Sequence, residues 1–143
     1  MEQINHRNAV GLVERAVAEA LAIQSPSSIA VVDSGRNLVA FARMDGAPLA
    51  SIDICIGKAY TARSLNMSTA DLGDLVQPGQ PLFGIALANR TAPLVTFGGG
   101  VPIKLDGEVV GAIGVAGGTP EQDTEVAQKT LATWDANAQE VIE

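Results

Sequence analysis

The side chains able to do chemistry in this 143-residue chain are few, and their surroundings narrow what each can do. Lys58 falls inside an apolar stretch, Leu49 to Arg63, with the composition of a helix. A cation there is costly unless paired. Two readings stay open: Lys58 holds a carboxylate of a ligand, or it forms a structural ion pair with Asp33, Asp45 or Asp123. Asp123 projects among Val126, Thr130, Leu131 and Trp134 on the apolar face of the last predicted helix. It is a candidate general base, or an acceptor for backbone N–H groups near Gly98 to Gly100. In the first helical turn, the helix dipole keeps it ionised either way. With Lys58, Asp123 or Asp45 forms a candidate proton-transfer pair. His6 is the only imidazole, one turn before Val10 on the face that carries Val13 and Val17. Such an imidazole suits a metal ligand, and equally a residue at a helix start.

Other motifs carry less. Gly98-Gly99-Gly100 invites a phosphate-loop reading, but neither a helix nor Gly-Lys-Ser/Thr follows it. Gly117-Gly118-Thr119 precedes a helix, so its N–H groups form a candidate anion site or a plain cap. A serine triad is not expected, because the sole histidine is terminal and no Gly-x-Ser-x-Gly elbow occurs. Cys55 is the only cysteine, which rules out an internal disulfide and a multi-cysteine metal site.

The elements that must position these residues follow from periodicity. Val10, Val13, Val17 and Leu21 recur at helical spacing from Asn5 to about Ile23, which predicts an amphipathic first helix. Ser28 to Val32 and Leu38 to Met44 read as a hairpin around Asp33-Ser34-Gly35-Arg36-Asn37. The helix from Leu49 is apolar nearly all round. One sheet covers only one side of it, so a second subunit is expected to cover the other. A short helix starts at Ser68, and Val76 to Pro93 is expected to be a loop with helical pieces. Leu94 to Phe97, Val101 to Leu105 and Glu108 to Val115 read as three strands, the last two joined by Asp106-Gly107 with both residues at positive φ. Thr119-Pro120-Glu121-Gln122 carries an N-cap, a proline at the first helical position and a glutamine three residues on, opening a helix to about Asn137. The expected fold is therefore α/β of the α+β type: helix, two strands, helix with a helical loop, three strands, helix. Its five-stranded, mainly antiparallel sheet is flanked by helices on both faces.

Size and charge set the remaining bounds. A chain of this length is expected to form one domain over 1–143. The net charge of −7 offers no field for nucleic acid or anionic lipid. No apolar run approaches a membrane span, and no secretory leader is evident, so a cytoplasmic location is expected.

Five blocks occur in one order: Ala30-Val31-Val32-Asp33-Ser34-Gly35, Arg43-Met44-Asp45-Gly46-Ala47, Lys58-Ala59-Tyr60-Thr61-Ala62, Gly98-Gly99-Gly100-Val101-Pro102-Ile103, and Asp106-Gly107-Glu108-Val109-Val110-Gly111-Ala112-Ile113-Gly114-Val115. Together they resemble the GlcG/HbpS family, the haem-degrading domains, over Ile29 to Asp123. The family often has serine where Ala116 stands here. The resemblance implies a profilin-like sheet, a homo-oligomer (dimer or larger ring), and haem or a related tetrapyrrole as small-molecule ligand. A related domain is fused to corrinoid adenosyltransferases of the PduO type. Under that reading His6 is the candidate axial ligand, with Tyr60, Met44, Met67 and Cys55 as alternative donors. Arg43 and Lys58 would clamp carboxylates such as the propionates, beside Gly98, Gly99, Gly100 and Thr119. The chemistry stays open between a haem-binding protein, a cofactor-free lyase or isomerase of small-acid or aromatic catabolism using Lys58 with Asp45 or Asp123, and a non-catalytic accessory protein.

Overall fold

The computed structural model describes residues 3–88 and 91–134. Helix α1 spans His6–Ala22, strands β1 and β2 span Ser28–Asp33 and Leu38–Arg43, and helices α2 and α3 span Ser51–Leu65 and Thr69–Leu75. A 3₁₀ turn at Ile85–Leu87 precedes β3 (Gly100–Leu105), β4 (Glu108–Ala116) and α4 (Pro120–Thr133). The strands form one antiparallel sheet in the order β2-β1-β4-β3. The expected end of α4 near Asn137 lies outside the described residues.

Alternation along β1 and β4 separates two cores, as period-2 side-chain placement requires. Ile29, Val31, Ile113 and Val115 pack with α1 and α4, whereas Ala30, Val32, Ala112 and Ala116 pack under α2 with Cys55, Ala59 and Ala62. The second core is built almost wholly of small side chains, so α2 lies very close to the sheet. At Gly114 even a Cβ would fall on the Cys55 carbonyl oxygen. Helices thus cover both faces, as expected.

Two local signals act as their chemistry requires. Asp106 and Gly107 adopt φ of 50° and 82° and close the β3–β4 hairpin. Val110 is the extra residue of a bulge between the pairs Ile103–Gly111 and Lys104–Val109. At α4 the Thr119 hydroxyl accepts from Gln122 N while Gln122 Oε1 accepts from Thr119 N, a complete capping box.

Two expectations are corrected. The sheet has four strands, not five: Leu94 to Phe97 is not a strand. The Val95 N–H donates to the Thr61 hydroxyl of α2 at 2.9 Å, and the Thr96 carbonyl faces Gly73 of α3. The segment therefore spends its polar groups on helices, and Gly99, at φ 132°, turns the chain into β3. The second correction concerns α1, whose buried face is Asn8, Ala9, Leu12, Val13, Ala16 and Ala20. Val10 and Leu21 are instead 36% and 63% exposed. Alanines take the buried stripe because α1 packs against α4 as well as the sheet, which pushes the larger residues to its rim.

Candidate functional site

Lys58 sits on the sheet-facing side of α2 and is 1% exposed. Its Nζ donates to the Val115 carbonyl at 2.9 Å and to Asp123 Oδ2 at 2.9 Å. Asp123, 2% exposed in the first turn of α4, also accepts from Gly118 N at 3.0 Å through Oδ1. The pair reaches around the C-terminal end of β4 and joins the helical layers on the two faces of the sheet. Of the partners left open for Lys58, the structure selects Asp123. The backbone donor to Asp123 is Gly118 rather than the 98–100 segment.

Electrostatics at the pair pull in opposite directions. Burial is the dominant influence on Lys58 and lowers its pKa from the ordinary 10.5, while the Asp123 charge and hydrogen bond act to raise it. Phe97, 44% exposed, places its ring centroid 5.0 Å from Nζ and adds a cation–π contact. Lys58 and Asp123 line a cavity of about 180 Å³ together with Ser51, Ile54, Phe97 and Gly118. The Ser51 hydroxyl in its wall is bonded to Ser28 at 2.8 Å and to the Pro48 carbonyl.

The glycines serve this arrangement sterically. A Cβ on Gly99 would lie 2.6 Å from Lys58 Nζ, and one on Gly100 would meet the Lys58 carbonyl. Gly100 N donates to Thr69 Oγ1 at 2.8 Å, which fixes the turn. Gly98, Gly99 and Gly100 therefore make room for Lys58. The N–H groups of Gly118 and Thr119 are consumed by Asp123 and Gln122, so the start of α4 is capped by its own side chains.

The remaining residues singled out from sequence lie elsewhere. Arg43 and Asp45 are exposed and line a separate open cavity of about 370 Å³ with Val17, Leu21, Ala42 and Met44. Asp45 thus does not join Lys58. His6 is exposed at the first position of α1. Cys55 is buried, and burial pushes its thiol up to about 12. Sequence reasoning did not single out Phe97 or Ser51. Phe97 was hidden by its assignment to a strand, although an aromatic beside three glycines signals a ring held close to backbone. Among the described residues no three His, Cys, Asp or Glu side chains gather to hold a metal ion. No helix there is long and apolar enough to cross a membrane.

Fold and site define a small three-layer α+β domain whose buried lysine–aspartate pair closes one end of the sheet beside a small cavity. The chain belongs to the family described as haem degrading protein HbpS-like, whose model matches residues 4–132. An uncharacterised 15.0 kDa protein from the dhaT–dhaS intergenic region of Citrobacter freundii is 47% identical over 114 residues, 80% of each chain. The corrinoid adenosyltransferase PduO of Salmonella typhimurium is 36% identical over 121 residues, 85% of this chain and 36% of that one. This chain therefore spans about a third of that relative's length. Among solved structures, a PduOC:haem complex superposes with a TM-score of 0.88 at 33% identity, covering 93% of this chain and 96% of that one.

Proposed function

We propose that the chain is a single domain that binds haem or a related tetrapyrrole, in an assembly of its own copies, with His6 as the ligand to the iron. The observation that carries this reading is the outward stripe of α1. His6, Val10, Val17 and Leu21 fall within about 60° of one another at 3.6 residues per turn. The only imidazole thus heads an apolar strip that the rest of the chain leaves at its rim. The strip runs on into the cavity of Arg43 and Met44. An exposed imidazole beside apolar side chains, with a guanidinium further along the same surface, suits a flat macrocycle bearing iron and carboxylates. Kinship with the HbpS-like family and the likeness to a haem complex support the same reading.

In this reading His6 orients the group, Val10 and Val17 exclude water from one side of it, and a second copy covers the other side. Ile52 and Ile56, one turn apart on one flank of α2, remain partly exposed and offer a further self-association surface. Bound iron would supply any redox chemistry with oxygen. The test is a haemin titration of wild type and His6→Ala, followed at the Soret band with the solution mass measured alongside. Saturation at a defined stoichiometry on an oligomer, with the band altered in His6→Ala, is expected. Absence of saturable binding, or a monomeric mass with haem bound, refutes the proposal.

A further inference from the structure

The cavity at the end of β4 contains more than a structural pair needs. The side chains of Lys58 and Asp123 are 1% and 3% exposed, yet both also line a cavity of about 180 Å³, which a pair that only locks two helices does not require. Two of the three N–H groups of Lys58 are taken, by Val115 and Asp123. Beyond them stands the Phe97 ring, partly exposed, in a segment without regular secondary structure. The space holds about six waters at ~30 Å³ each, the size of a compound of about two to four carbons. An anion is the wrong occupant, because Asp123 faces the same space and the nearby N–H groups of Gly118 and Thr119 are already bonded. A neutral electrophile suits an amine with a carboxylate at 2.9 Å.

We propose that Lys58 is a covalent capture site for a small uncharged aldehyde or ketone, forming an iminium ion with Asp123 as the proton relay and Phe97 as the gate. The proton inventory closes. Asp123 first takes a proton from the Lys58 ammonium, leaving a free amine and a carboxylic acid. The Nζ lone pair forms a bond to the carbonyl carbon, and the C=O π pair moves to oxygen, which receives the Asp123 proton. The nitrogen then returns a proton to Asp123. That acid protonates the hydroxyl, the C–O bond breaks, and water leaves as the nitrogen lone pair forms the C=N bond. Ammonium plus carbonyl has become iminium plus water. The site begins and ends with one cation beside one carboxylate, so no new uncompensated charge is buried. Burial, which already lowers the proton affinity of Lys58, acts in the direction that frees the amine.

The site is separate from His6 and the α1 stripe, so haem binding and carbonyl capture stand or fall independently. The chain has only three lysines, Lys58, Lys104 and Lys129, and the latter two are exposed. Purified protein is treated at neutral pH with limiting glycolaldehyde and cyanoborohydride, which reduces an iminium to a stable secondary amine, and the peptides are mapped by mass. The expected result is a hydroxyethyl group on Lys58 at a rate at least about tenfold above Lys104 and Lys129. Phe97→Ala accelerates that labelling. Asp123→Asn, with folding verified by circular dichroism, slows it at least about tenfold and leaves Lys104 and Lys129 unchanged. Label on Lys104, Lys129 and the amino terminus with Lys58 untouched overturns the proposal. Labelling of Lys58 at the wild-type rate in folded Asp123→Asn overturns the relay.

Discussion

Replacing Lys58 by methionine removes the ammonium while keeping a long unbranched side chain in its channel, and its cost can be worked from the site. Asp123 would lose its 2.9 Å partner, remain almost fully buried, and retain only the Gly118 N–H. The Val115 carbonyl would lose a charged donor. Breaking a buried pair from one side costs about 3–5 kcal/mol, a large part of the ~5–15 kcal/mol by which a domain of this kind is stable. Lys58→Met combined with Asp123→Leu leaves no orphan charge and is expected to recover most of the loss. Urea unfolding followed by far-ultraviolet circular dichroism measures all variants, with an unchanged denaturant slope showing that only stability moved. A Lys58→Met penalty below about 1 kcal/mol, or a double variant no more stable than the single one, would refute the account of a desolvated pair. The pH dependence gives an independent check. Because burial holds the folded pKa of Lys58 below the unfolded 10.5, the unfolded chain binds more protons between the two values. The Lys58 contribution therefore favours folding increasingly as pH rises toward 10.5, and Lys58→Met abolishes that component.

Cys55 supplies the opposite slope. Its thiol titrates at 9.0 when unfolded and about 12 when buried, so its contribution is complete below pH 9 and lost between 9 and 12, at up to about 1.4 kcal/mol per pH unit. Alkaline unfolding of Cys55→Ala should be shallower than that of wild type, and in native wild type the thiol should resist iodoacetamide at pH 8. Gly114→Ala should destabilise by at least about 1–3 kcal/mol, because its methyl meets the α2 backbone rather than a movable side chain. An unchanged melting temperature would show that α2 lifts off the sheet freely. Thr69→Val removes the acceptor of the buried Gly100 N–H and should cost about 1–3 kcal/mol, and Thr69→Ser should restore most of it.

Short-range chemistry was legible in the sequence wherever one residue type had one job. Asp106-Gly107 signalled a turn and Thr119 with Gln122 signalled a cap, and both form as read. Positions decided by layer geometry were harder to see. In α1 Val10 and Leu21 looked like part of the core face with Val13, but close packing against α4 favoured Ala9, Ala16 and Ala20 there. Val95 and its neighbours have strand composition, yet the Thr61 hydroxyl diverts them onto α2. At the site, the cost of burying Lys58 announced that a partner existed. Only the path of the chain around the end of β4 selected Asp123 over Asp33 and Asp45.

The strand order has a consequence for how a growing chain acquires this shape. The two central strands are β1 and β4, with Ser28 opposite Ala116, so the middle of the sheet joins segments far apart in the chain. While β4 is still within the ribosome, β1 and β2 can close their local hairpin. The inner edge of β1 then presents backbone N–H and C=O groups with no strand to pair with, and α2 has only half a floor. Such an edge is a template for pairing with other nascent chains. Committed folding must await the β3–β4 hairpin, whose Asp106-Gly107 turn lets both missing strands arrive as one preformed unit and slot beside β1 in a single step.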